Sequence, residues 1–86
     1  MTPTVLHDAT AHKFYISFPE GEAALSYAMV DDNTLDFYST FVPPELRGRK
    51  IAQMLVEAGF AYAKEHHFQV IPSCPYVKVY LERHPQ

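Results

Sequence analysis

The stretch FVPPELRGRKIAQMLVEAGFAYAKEHHFQVI, residues 41 to 71, changes its hydrophobic period along its length. Pro43 and Pro44 end a strand, because two consecutive residues without an N–H group cannot continue a hydrogen-bonded ladder. Apolar residues then recur at helical spacing in two neighbouring rows: Ile51, Leu55, Ala58 and Tyr62, and Ala52, Val56 and Ala63. This spacing predicts an amphipathic helix of about four turns over roughly residues 49 to 65.

Upstream of this helix the pattern is that of short strands. Alternating or β-prone apolar residues occupy three segments: 13 to 18 (KFYISF), 23 to 30 (AALSYAMV) and 35 to 42 (LDFYSTFV). The polar segments PEGE and DDNT between them are typical of tight turns. The three strands are therefore predicted to form an antiparallel meander.

Downstream, FQVI (residues 68 to 71) is a short β-prone run. A strand reached through a crossover helix lies parallel to its neighbour. PYVKVYLER, residues 75 to 83, is predicted to form a short final helix. The predicted fold is a minimal α+β arrangement, β-β-β-α-β-α, an antiparallel meander plus one parallel strand with helices packed on the sheet, in a single domain over residues 1 to 86.

Composition narrows the functional classes. The chain of 86 residues is 48% hydrophobic and 14% aromatic, which favours a folded core over disorder. Its formal net charge of −3 argues against nucleic-acid binding. No apolar run approaches the roughly 20 residues of a membrane helix, and the N-terminus does not have the order of a signal peptide. We therefore expect a cytoplasmic protein, a monomer or a weak dimer, that does not bind membranes.

Metal binding is not expected. The single cysteine can form neither an internal disulfide nor a thiolate metal site. The five histidines lack metal-ligand spacing, so surface or capping roles are favoured for them.

A first candidate site is the predicted start of the long helix. A helix start carries unpaired N–H groups and partial positive charge, and glycine allows close approach of an anion. Gly48 stands there between Arg47 and Arg49, with Lys50 next. The alternative interpretation, which the residues alone favour slightly, is an exposed basic helix start that has no ligand.

A second candidate is Cys74, within PSCPYV (residues 72 to 77). Proline is favoured at the first residue of a helix, so Pro75 indicates that Cys74 or Ser73 is the N-cap. A thiol at the positive end of a helix dipole has a lowered pKa. An inert buried cysteine is the alternative. Tyr80, about a turn and a half further along, is expected to direct its hydroxyl back toward Cys74.

Residues 13 to 85 resemble the short, single-module members of the GNAT superfamily, the acyl-CoA-dependent N-acetyltransferases, and in particular the small group that carries a cysteine. The phosphate-loop pattern of that superfamily, Q/R-x-x-G-x-G/A, falls on Arg47, Gly48, Arg49, Lys50, Ile51 and Ala52. The resemblance implies that the backbone N–H groups of this loop hold the pyrophosphate of acetyl-CoA or coenzyme A.

The resemblance also implies roles for two other segments. Phe41 and Val42 would hydrogen-bond the pantetheine arm. Ser73, Cys74 and Pro75 would lie near the thioester, with Cys74 taking part in acyl transfer. Tyr80 is a candidate for protonating the departing CoA thiolate.

The sequence departs from the family pattern at three positions. Lys50 replaces the first glycine of the loop, Ser39 stands where related short members often have histidine, and Leu81 aligns with the tyrosine acid of larger enzymes. An acetyltransferase acting on an amine is the function that the resemblance implies. The alternative is a non-catalytic CoA-binding or protein-interaction module on the same fold.

Overall fold

The computed structural model describes residues 4–84. In this part of the chain the elements follow the order β1 (Leu6–Asp8), β2 (Lys13–Phe18), β3 (Gly21–Asp31), β4 (Thr34–Phe41), α1 (Ile51–Glu65), β5 (Gln69–Ile71) and α2 (Pro75–Arg83), with a 3₁₀ turn at Pro44–Leu46. The strands form one sheet in the order β1-β2-β3-β4-β5. The pairs are antiparallel except β4 with β5, which is parallel. The predicted α+β fold is thereby confirmed. Neither described helix is long and apolar enough to cross a membrane.

The core lies between the sheet and α1, which packs against β2, β3, β4, β5 and α2. Phe37 of β4 is fully buried at its centre, and its ring meets those of Phe14, Tyr27 and Phe60 edge-on. Aromatic rings arranged edge to face add about 0.5–1.5 kcal/mol beyond their buried area. This packing fixes β4 relative to α1 and therefore sets the geometry of the loop between them.

A β-bulge in β4 decides which side chains face the helices. The pairing of β3 with β4 shifts by one residue between Ser39 and Phe37, so Tyr38 is the extra residue. Beyond the bulge, Thr40 pairs with Leu25, which is fully buried on the helix face. Directly opposed residues of an antiparallel pair share a face. Thr40 therefore faces the helices. In a regular strand without the bulge, alternation from Phe37 would place Ser39 on that face instead.

Two features differ from the sequence prediction. The strand β1 was not expected, because three residues in a polar context carry too weak a pattern. His7 anchors it: the ring stacks on Phe14 at 4.3 Å, and Nε2 lies 2.7 Å from the hydroxyl of Tyr27. His7 is therefore packed in the structure rather than a surface residue. The second difference is that α1 begins at Ile51 rather than near residue 49.

Candidate active site

The loop between β4 and α1 is anchored at its centre. Leu46 is almost fully buried, and its N–H donates to the carbonyl of Pro43 at 2.9 Å. Arg47 Nε donates to the carbonyl oxygen of Val42 at 3.3 Å, which ties the loop to the end of β4. The two segments that the sequence singled out, around Val42 and around Gly48, are thus held together.

Backbone conformation explains where α1 begins. Gly48 has φ of 83° and Lys50 has φ of 61°, both in the left-handed region that interrupts a helix. Lys50 is consequently the N-cap, and the helix starts at Ile51. The family pattern has glycine at the position of Lys50, and glycine is the residue that adopts this conformation without a steric cost. Lys50, which stands at this position here, adopts the same left-handed conformation with backbone strain.

The N-terminus of α1 has the properties of an anion site. It has no side-chain cap and no acidic residue in its first turn, so its first N–H groups remain available. A Cβ built on Gly48 would meet nothing within 4 Å, so the loop is open to solvent there. Arg47, Arg49 and Lys50 add positive charge.

A cleft of about 260 Å³ opens at this helix start. Its lining comprises Val42, Leu46, Arg47, Gly48, Lys50, Ile51, Ala52 and Tyr76. Five of the six residues matched to the phosphate loop therefore share one wall, and Val42 of the adjacent strand end joins them. Arg49 is exposed beside the cleft and is not part of its lining.

Cys74 is the N-cap of α2, which settles the choice between Cys74 and Ser73 that the sequence left open. Its N–H donates to the carbonyl of Phe37 at 2.9 Å, and its Sγ lies 3.2 Å from Oγ1 of Thr40. Only 6% of the residue is exposed. The parallel pairing of β4 with β5 ends at Asp36, so Cys74 occupies the place where these two strands stop pairing.

The surroundings of Cys74 act on its pKa in opposite directions. Burial raises the pKa of the thiol, whereas hydrogen bonds from the Thr40 hydroxyl and from the backbone of Val77, Tyr76 and Thr40 lower it. The hydrogen bonds prevail, and the pKa is lower than that of an ordinary thiol. The thiolate is thus more favoured than in an ordinary thiol, in the direction that the helix-dipole argument predicts.

The two tyrosines of α2 lie at different places. Tyr80 stacks on Phe60 and borders a second, smaller cleft of about 80 Å³. Burial, followed by the charge and hydrogen bonding of Glu57, raises the pKa of Tyr80. Glu57 of α1 is thus the charged group that acts on this phenol, and Tyr80 borders the smaller cleft and not the one at the start of α1. Tyr76 borders both clefts and was not singled out from the sequence, although its place in the first turn after Pro75 was a usable signal.

The other residues predicted for the site lie near this region but outside the larger cleft. Phe41 at the end of β4 is 52% exposed, Ser73 and Pro75 flank Cys74 on the surface, and none of the three belongs to the lining of the larger cleft. Within residues 4–84, no cluster of three or more histidine, cysteine, aspartate or glutamate side chains could hold a metal ion.

A comparison with known proteins agrees with three features of this structure: the loop, the uncapped helix start and the parallel β4–β5 pair. A sequence model of the GCN5-related N-acetyltransferase family matches residues 13–86. The chain belongs to this family.

The matches between this GCN5-related chain and its relatives cover most of its length. It is 30% identical over 83 residues to the protein NATD1 of Danio rerio, a match that covers 94% of this chain and 76% of the relative. The human NATD1 is 29% identical, with 94% and 74% covered. The solution NMR structure of a GCN5-like protein from Staphylococcus aureus has 30% sequence identity and a TM-score of 0.73, covering 96% of this chain and 82% of the other.

Proposed function

We propose that this GCN5-related chain binds acetyl-CoA at the start of α1 and transfers the acetyl group to an amine acceptor, which is either a small molecule or a protein. The observation that carries the proposal is the uncapped helix start, which opens into a cleft lined by Arg47, Gly48 and Lys50. Family membership supplies the ligand for this anion site, and the local chemistry fits a pyrophosphate.

The residues fit acetyl-CoA in two parts. Residues 47 to 52 would hold the pyrophosphate through backbone N–H groups and cationic side chains. Phe41 and Val42 would bind the pantetheine arm at the end of β4, beyond Asp36, where the pairing of β4 with β5 stops. Bound acetyl-CoA supplies the thioester from which the acetyl group is transferred.

Cys74 and its neighbours Ser73 and Pro75 are proposed to lie beside the thioester. A thiol with a lowered pKa is a better nucleophile at neutral pH, so Cys74 could accept the acetyl group before the amine does. Tyr80 and Tyr76 are the phenols proposed to protonate the departing thiolate. Burial raises the pKa of both, so each phenol is protonated at neutral pH, which is the form that a proton donor requires. Tyr76 has the better position, since it borders the cleft.

A binding experiment tests the phosphate loop. Coenzyme A at about 100 times its Kd should stabilise the protein by about 2.7 kcal/mol, measured as a thermal shift. The double variant Arg47→Ala with Arg49→Ala should weaken binding about tenfold or more, because two charge-assisted contacts are lost. The matched control removes two exposed lysines elsewhere, Lys64→Ala with Lys78→Ala. Coenzyme A at about millimolar concentration that leaves the melting temperature unchanged would exclude the site.

A second experiment tests the chemistry. Incubation with acetyl-CoA should produce an adduct of about 42 Da in the intact mass, absent from Cys74→Ser, if the thiol accepts the acetyl group. Release of free coenzyme A with an amine panel measures turnover. Comparing Tyr76→Phe with Tyr80→Phe then assigns the proton donor.

The burial of Cys74 favours a second candidate function. With 6% of the residue exposed and no part in the lining of the cleft, the thiol is poorly accessible in this conformation. A non-catalytic CoA-binding or protein-interaction module would bind coenzyme A but form no adduct and release no thiol. The pair of experiments above distinguishes this module from the enzyme.

A further inference from the structure

We propose that Thr40 is a positioning residue for Cys74: its hydroxyl holds the Sγ atom at the start of α2 and donates a hydrogen bond to the thiolate. The inference rests on the proposed role of Cys74 beside the thioester. It adds a residue that neither the phosphate-loop pattern nor the proline-flanked cysteine indicates.

The bulge at Tyr38 makes this contact possible. Phe37 and Thr40 are three residues apart, so in a regular strand their side chains would point to opposite faces. The extra residue restores Thr40 to the face of Phe37. As a result, β4 holds Cys74 on both sides of the bulge, through the Phe37 carbonyl at 2.9 Å and the Thr40 hydroxyl at 3.2 Å.

Hydrogen-bond chemistry gives this contact a direction once Cys74 ionises. In the thiol form either atom can donate to the other. A thiolate has no proton to give, so the Thr40 hydroxyl must then be the donor. A hydrogen bond to an ionised acceptor is stronger than one between neutral groups, so the contact favours the thiolate. The lowered pKa of Cys74 is in the same direction.

The test is a titration of the thiol. Cys74 is the only cysteine, so the ultraviolet absorbance of its thiolate can be followed against pH after subtracting the same titration of Cys74→Ser. Thr40→Val keeps the shape and removes the donor. We expect its titration midpoint to rise by about one pH unit, which is about tenfold less thiolate at neutral pH.

Two control variants separate the hydroxyl from simple packing. Thr40→Ser keeps the donor and should titrate close to the wild type. Ser39→Ala removes the neighbouring hydroxyl, which faces the other side of the sheet, and should leave the midpoint unchanged. An unchanged midpoint in Thr40→Val overturns the proposal, as does a Thr40→Ser midpoint that rises equally. If circular dichroism shows that Thr40→Val does not fold, Thr40→Ala undergoes the same test.

The titration contains no coenzyme A, so its result is independent of the proposed function. If the midpoint shifts but the protein does not bind coenzyme A, the proposed role of Thr40 is supported and the proposed acetyltransferase function is rejected. If the protein is active, the pH profile of its acetyl transfer should move upward in Thr40→Val by the same amount as the thiol titration.

Discussion

Gly59 of α1 packs directly against two side chains of the sheet, and the change Gly59→Ala tests how closely the core is packed. A Cβ placed on Gly59 would lie 3.0 Å from Cδ2 of Leu25 and 3.0 Å from Cζ of Phe37. Both side chains are fully buried, so neither can move aside without disturbing its own neighbours.

Two opposing terms determine the effect on the free energy of unfolding. Replacing a mid-helix glycine by alanine should gain about 1 kcal/mol of helix propensity. Inserting a methyl group into a filled core costs about 1–3 kcal/mol. Because Gly59 meets two fully buried side chains, the upper part of that range applies. We expect a net loss of about 1–2 kcal/mol, which lowers the melting temperature by about 4–8 °C for each kcal/mol.

Urea and thermal denaturation measure this loss. The control Ala61→Gly, on the exposed side of the same helix, should lose about 1 kcal/mol through propensity alone. Adding Phe37→Leu should recover part of the Gly59→Ala loss, with a coupling energy of about 1 kcal/mol in a double-mutant cycle. A melting temperature of Gly59→Ala equal to or above that of the wild type would refute the packing argument.

Three further predictions concern His7, Lys50 and Gly48. Burial lowers the pKa of His7 from 6.5, Asp8 opposes this shift, and His66 and His12 add to it. The stability that neutral His7 contributes is therefore present above pH 6.5 and is lost as the pH falls below it. Denaturation from pH 8 to 5 should show this loss, and His7→Phe should reduce it; equal slopes would contradict the prediction. Lys50→Gly relieves a left-handed backbone and should raise the unfolding free energy by up to about 1 kcal/mol; a lower value would count against strain at Lys50. Gly48→Ala, at φ of 83°, should cost about 1–2 kcal/mol and weaken coenzyme A binding, as calorimetry would measure; unchanged stability would contradict it.

Hydrophobic period and proline placement predicted most of the fold. The change from strand to helical spacing after Pro44 and the short run at residues 68 to 71 were enough to predict a parallel strand after a crossover helix, and the structure has one. These signals are local, since each depends on residues a few positions apart. The same local signals predicted Cys74 at the start of the last helix.

The strand β1 and the role of its histidine were not predictable in this way. His7 is held by Phe14, Tyr27 and Tyr62, which come from three other elements. Nothing in the residues adjacent to His7 specifies those contacts.

The sequence by itself determined the order of the elements from β2 to α2, the basic helix start and the place of the only thiol. Tertiary structure decided what faces that thiol. The bulge at Tyr38 moves Thr40 to the helix face, and the packing of α2 on α1 stacks Tyr80 on Phe60. The physical reason is that a side chain's face depends on register and packing between distant segments, whereas hydrophobic period and helix capping are set by neighbours along the chain.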